Sequence, residues 1–264
     1  MIALLLAAFP RSSASAETRV PCGKMRVLFL ADSHALGPFG ERMEQWLVGL
    51  PAAEVHTWAI GGSSPGWWFK GNLSTHAYAF HSCDGASPPR KTLRHLTMRA
   101  PLLVDLLKAP AGAYDRELVI LGQGSNVPGT TDVYRKLSET LVRAVHADGR
   151  PRTCVWISPP RMKDHSLRYA DEVFTSIDAG LRAAARDGAP CKLVDSRKYS
   201  EYPERDGDGV HYPFTREGVA AANRWADGVI AEIAPLVPKS STAAPTTTSP
   251  GMQCPGHSDE SPTP

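Results

Sequence analysis

Two short motifs far apart in the chain carry residue types that can do chemistry together: Ala31-Asp32-Ser33-His34 and Asp208-Gly209-Val210-His211. A serine hydroxyl is a poor nucleophile unless a base takes its proton, and that base needs a third group to orient it. Ser33, His211 and Asp208 supply the three roles. The D-x-x-H spacing puts carboxylate and imidazole on one loop, where Asp208 can hold one ring nitrogen while the other faces the serine. The chemistry this suits is acyl transfer through a serine ester. Read locally, the same residues also suit a helix N-cap at Asp32-Ser33 and a turn at Asp208-Gly209.

Acyl transfer also needs donors aimed at the oxyanion of the tetrahedral intermediate. Two further segments offer them at predicted strand ends. Gly61-Gly62-Ser63-Ser64 follows a short strand over residues 54–58, and Gly122-Gln123-Gly124-Ser125-Asn126 follows one over 117–121. A glycine backbone N–H and the Asn126 amide are the candidate donors. Ser33 itself follows an apolar run, MRVLFLA over residues 25–31, which reads as a buried parallel strand. In open α/β sheets the site forms outside the carboxyl ends of such strands.

In this order, Ser33, Gly62, Asn126 and the Asp208/His211 pair resemble the four blocks of the SGNH (GDSL-like) hydrolase family, over about residues 25–235. The resemblance implies a three-layer α/β/α sandwich, flavodoxin-like, with a mainly parallel five-stranded sheet. It implies Ser33 as nucleophile and first oxyanion donor, Gly62 and Asn126 as the other donors, His211 as base and Asp208 as its orienting partner. Two departures stand out. Ala31 replaces the glycine usual before the Asp-Ser pair, and the third block carries an extra Gly122-Gln123 before Gly124-Ser125-Asn126. If the strand ends earlier than residue 121, Gln123 rather than Asn126 is the donor.

The elements that must position these residues alternate regularly. Further strands are predicted at residues 154–158 and 191–195, and helices at 39–50, 92–108, 132–147, 167–186 and 216–236, from apolar periodicity and flanking breakers. Five strands alternating with helices argue for a mainly parallel sheet covered on both faces. Residues 65–89 are too long for an ordinary connection. They carry Trp67, Trp68, Phe69, Tyr78 and Phe80, with His76 and His81, directly after the candidate oxyanion glycine. Trp67 and Trp68 are candidate substrate-stacking rings, the alternative being that the aromatics pack the loop onto the body. Arg161, after Ser158-Pro159-Pro160, lies at the same sheet edge and receives no role.

The composition fits one folded unit with two appendages. Of 264 residues, 42% are hydrophobic and 21% charged, ordinary for a globular domain. A net charge of +2 without a basic stripe argues against a nucleic-acid partner. Residues 1–16 hold an apolar core and an Ala14-Ser15-Ala16 site, the pattern of a secretory signal, and the apolar stretch is too short to span a bilayer. Residues 22–237 form the expected catalytic domain. Residues 239–264, rich in Ser, Thr and Pro, form an expected disordered tail.

The five cysteines show no C-x-x-C pair and the histidines no ligand spacing, so disulfides rather than a metal site are expected. Cys154 and Cys191 open two predicted strands, and if these are neighbours a disulfide joins them. Cys22 with Cys83 is a second option, leaving Cys254 unpaired. The resulting expectation is an exported serine esterase, secreted or periplasmic, with no cofactor and no transmembrane span. Its expected substrate is an ester, in particular a small O-acyl group on a carbohydrate such as an acetylated glycan. The alternatives are an O-acyltransferase on an envelope glycan and a non-catalytic carbohydrate-binding or scaffold domain of the same fold.

Overall fold

Every position of β1 (Met25–Ala31) is buried, because this strand has neighbours on both edges and helices on both faces. A computed structural model describes residues 24–83, 96–110, 112–126, 130–163 and 167–237. Strand β1 pairs in parallel with β2 (Ala53–Ile60) on one side and β5 (Arg116–Gly122) on the other; β6 (Thr153–Ile157) and β7 (Lys192–Val194) continue the parallel set. Between β2 and β5 in the chain come β3 (Leu73–Cys83) and β4 (Leu96–Arg99). Both are antiparallel to their neighbours, and the sheet order is β4-β3-β2-β1-β5-β6-β7.

The expected five-stranded, flavodoxin-like sheet is therefore corrected to a mixed, mostly parallel sheet of seven strands in a three-layer α/β/α sandwich. The two unexpected strands come from stretches read otherwise. Residues 65–89 were expected as a long aromatic connection, yet they contain the single helical turn α2 (Trp67–Lys70) and then β3. Residues 92–108 were expected as a helix; within the described part they form β4 and then one turn, α3 (Leu103–Leu106). The apolar spacing in this stretch serves an edge strand and a short turn instead, a tertiary outcome that helical periodicity cannot distinguish over so few residues.

Alternating β1 side chains feed two cores. Met25, Val27, Phe29 and Ala31 pack with α1 (Pro38–Val48) and α6 (Arg216–Ile233) through Phe39, Met43, Trp225 and Val229. Leu28 and Leu30 face the other side, where α4 (Thr131–His146) and α5 (Leu167–Arg186) bring Leu141, Val145, Ile177 and Leu181. Burying a side chain of this size contributes about 1.5–3 kcal/mol, so the two cores fix the strand ends from which the site loops leave.

Cys154 on β6 and Cys191 just before β7 are joined by a disulfide, their Cα atoms 4.6 Å apart as adjacent strands allow. Cys83 is disulfide-bonded as well. Cys22, Cys254, the expected signal segment and the expected tail lie outside the described residues.

Candidate active site

Ser33 opens a short 3₁₀ turn, residues 33–36, directly beyond β1. The turn is shaped by Asp32, whose buried carboxylate accepts the His34 N–H at 3.1 Å and, from across the sheet end, the Ser125 N–H at 3.3 Å. Burial raises the Asp32 carboxyl to about 6, with the His34 and Ser125 hydrogen bonds offsetting part of that rise. Asp32 thus acts as the cap expected from its residue type, and it also ties the first loop to the third. Ala31 replaces the usual glycine without a clash because its partner in β5 is Gly122. A Cβ added at Gly122 would lie 3.2 Å from the Ala31 Cβ, so the small residue required at this contact sits on the neighbouring strand.

The second loop turns at Gly61-Gly62. A Cβ on Gly61 would come within 2.6 Å of the His76 carbonyl oxygen, to which the Gly61 N–H donates at 2.7 Å. Gly62 has φ +74°, the left-handed region that glycine enters without penalty. In the third loop Gln123 and Asn126 differ in burial. Strand β5 runs through Gly122, and Gln123 is then 1% exposed, its side chain paired with Ser63 Oγ and its carbonyl accepting the Trp156 indole N–H at 2.9 Å. Asn126 instead lines the cleft that holds Ser33, and its Nδ2 donates to the Ser63 carbonyl at 3.3 Å.

The fourth loop brings Asp208 and His211. Asp208 Oδ1 accepts the Val210 N–H at 2.9 Å and the His211 N–H at 2.7 Å, while Oδ2 lies 2.7 Å from His211 Nδ1. His211 Nε2 lies 2.9 Å from Ser33 Oγ. Burial pushes the Asp208 carboxyl up, but the His211 and Val210 hydrogen bonds outweigh it and bring it down to about 2. The loop is clamped by Tyr202, whose hydroxyl accepts the Gly209 N–H at 2.9 Å and donates to the His211 carbonyl at 3.0 Å. Below it, Tyr212 packs on Trp225, which stacks on Phe39 with ring centroids 3.7 Å apart.

These loops meet at a cleft of about 740 Å³ lined by Ser33, Gly62, Asn126 and His211 together with Leu36, Trp67, Leu73, His76 and Phe214. All five residues read as chemical from the sequence, Ser33, Gly62, Asn126, Asp208 and His211, therefore converge, Asp208 through the ring of His211. Of the two candidate stacking rings, Trp67 lines the cleft and Trp68 does not, being fully buried in the core beneath α2. Arg161 does not line this cleft either. Sequence reasoning gave no role to Tyr202 or Ser63; neither has a spacing that marks it, since Tyr202 holds the main chain of Gly209 and His211 and Ser63 offers its own carbonyl to Asn126.

Among the described residues no helix is long and apolar enough to cross a membrane. No protein-family model matches the chain, and no curated protein sequence matches it significantly. Solved structures similar to it include the C-terminal catalytic domain of peptidoglycan O-acetyltransferase A (OatA) from Streptococcus pneumoniae, 14% identical, with 81% of this chain and 94% of that one covered and a TM-score of 0.46. A Bacteroides ovatus protein named as a GDSL-like lipase is 10% identical, with 82% and 53% covered and a TM-score of 0.49. The lipase/acylhydrolase from Enterococcus faecalis is 16% identical, with 81% and 96% covered and a TM-score of 0.42.

Proposed function

We propose that this chain is a serine esterase that works through an acyl-enzyme on Ser33. The observation that carries the reading is the continuous relay from Asp208 Oδ2 to His211 Nδ1 at 2.7 Å and from His211 Nε2 to Ser33 Oγ at 2.9 Å. His211 accepts the Ser33 proton as Oγ attacks the ester carbonyl, and returns it to the departing alcohol. The Asp208 carboxylate fixes the ring tautomer and stabilises the imidazolium formed in between. The Ser33 and Gly62 N–H groups and the Asn126 amide are the donors for the oxyanion. Water then attacks the acyl-enzyme by the same route and releases the acid.

A small O-acyl group on a carbohydrate is the proposed substrate, supported by the open cleft and by Trp67 at its wall. Trp68 lends that reading no support, because its ring is inside the core. Transfer of the acyl group to a sugar hydroxyl is the neighbouring reaction, since water and alcohol compete for the same intermediate. We infer an oxidising, extracytoplasmic location, which the disulfides at Cys154–Cys191 and Cys83 support. The test of function is hydrolysis of a small aryl acetate by the purified protein and by Ser33→Ala. Turnover by the parent at least about 10⁴-fold faster than by the variant is expected. Equal rates would remove Ser33 from the mechanism.

A further inference from the structure

Glu54 and His56 lie two apart on β2, so their side chains leave the same face of the sheet, and His81 on β3 stands directly opposite His56 in the antiparallel register. Both imidazoles aim Nε2 at one carboxylate oxygen. His56 Nε2 is 2.9 Å and His81 Nε2 3.0 Å from Glu54 Oε1, with the two rings 4.4 Å apart. The three ligand-type atoms all lie within 4.8 Å of one another. We propose that Glu54, His56 and His81 form a binding site for one divalent transition ion of the zinc type, at the end of the sheet opposite Ser33.

The chemistry of the donor set supports this. Two imidazole nitrogens and a carboxylate oxygen are zinc ligands, and three protein ligands leave a fourth position for water. Ligands about 2.0–2.1 Å from a tetrahedral ion lie about 3.3 Å from each other, so the nitrogens need to part from the oxygen by only a few tenths of an ångström. The carboxylate is already aimed. Its other oxygen, Oε2, accepts the Tyr114 hydroxyl at 2.9 Å, the outer hydrogen bond that metal-binding carboxylates usually have. Glu54 has a side chain only 5% exposed, whereas the histidines are 27% and 29% exposed and leave a path for an ion. The neighbouring Arg26 guanidinium is committed to Glu117 at 2.6 Å and to the Leu106, Leu107 and Lys108 carbonyls, so its charge is partly neutralised. Cys83 Sγ lies 3.6 Å from His81 Nε2, but it belongs to a disulfide and offers no thiolate.

Glu54 is the second residue of β2 and Gly61-Gly62 follows its end, so at about 3.3 Å per residue the cluster is roughly 20 Å from the candidate active site. An ion there would pin β3, the first antiparallel strand, to the parallel sheet. The arrangement has no linear signature, because ligands two apart on one strand gain their third from a neighbouring strand.

The test is calorimetric titration of the untagged, chelator-treated full chain with Zn²⁺, repeated with Co²⁺ while recording its visible spectrum. One equivalent of Zn²⁺ should bind, raise Tm, and give with Co²⁺ the visible bands of a four-coordinate ion. His56→Gln and His81→Gln should each weaken binding at least about tenfold, and Tyr114→Phe about 10- to 100-fold. Metal-free Tm values of the histidine variants close to that of the parent would show that they fold. No binding by the parent, or binding that both histidine variants retain unchanged, overturns the proposal.

Discussion

The side-chain amide of Asn126 donates to the main-chain carbonyl of Ser63 at 3.3 Å, so the third site loop is held by the residue that follows Gly62. The two candidate oxyanion donors outside Ser33 are thereby positioned by one contact. Asn126→Ala should lower kcat by roughly 10² to 10³, the usual result of losing one preorganised donor. Gln123→Ala should leave kcat within a few-fold of the parent and instead lower Tm, because Gln123 is buried against Ser63 and Trp156. Steady-state kinetics and thermal melts on both variants check this ranking; the reverse order would move the donor to Gln123.

His211→Ala and Asp208→Asn should both be severely impaired, with the histidine loss the larger. Removing a base costs more than removing its orienter, by analogy with triad hydrolases in which the orienting aspartate alone is worth on the order of 10⁴. Tyr202→Phe should lower kcat by a smaller factor, since its hydroxyl holds the Gly209 N–H and the His211 carbonyl and touches no reacting atom. KM for a small aryl ester should be nearly unchanged in all three. A large rise in KM with kcat preserved would assign this loop to binding.

Much of this site was legible from residue order, and the reason is geometric. Each candidate residue of the first three blocks sits just beyond the carboxyl end of a parallel strand, so Ser33, Gly62 and Asn126 could be placed without knowing the packing. What stayed hidden was β3. Its sequence, LSTHAYAFHSC, mixes His, Ser and Thr with aromatics, and it reads as a loop because its polar residues are satisfied by partners on other strands and loops, as Ser74 is by the Gly61 carbonyl at 2.8 Å. The missed strand pair changed the sheet from five strands to seven. The same blind spot hid the Glu54–His56–His81 cluster, which exists only once β3 is laid against β2.

The carboxyl of Glu44 on α1 is raised to about 7, first by burial, with the neighbouring Thr57 and Tyr78 hydroxyls offsetting part of the rise. In the folded protein it keeps its proton up to that pH, whereas the unfolded chain releases it near 4.5. Between these values the folded state binds more protons, so stability falls as pH rises, by at most about 1.4 kcal/mol per pH unit for one group. Urea unfolding at pH 5 and pH 7.5 should show the parent losing stability relative to Glu44→Gln over that interval. Asp32, raised to about 6, acts in the same direction in both proteins and cancels in the comparison. Parallel behaviour of the two proteins would mean that Glu44 ionises normally.

The two adjacent tryptophans should separate cleanly. Trp67→Ala should raise KM for an acetylated glycan more than for an aryl acetate, because only the larger substrate extends along the cleft wall. Trp68→Ala should act on stability instead, costing about 3–5 kcal/mol as a large ring lost from a core. Equal kinetic effects of Trp67→Ala on both substrates would reduce that ring to packing.

Activation of Ser33 by His211 is tested directly by a fluorophosphonate probe. Attack by Ser33 Oγ on phosphorus expels fluoride and leaves a covalent adduct that intact-mass measurement and peptide mapping locate. One adduct is expected on the peptide containing Ser33, with no adduct in Ser33→Ala and labelling of His211→Ala slowed by orders of magnitude. Failure of the folded parent to react, or labelling that persists in Ser33→Ala, would contradict it.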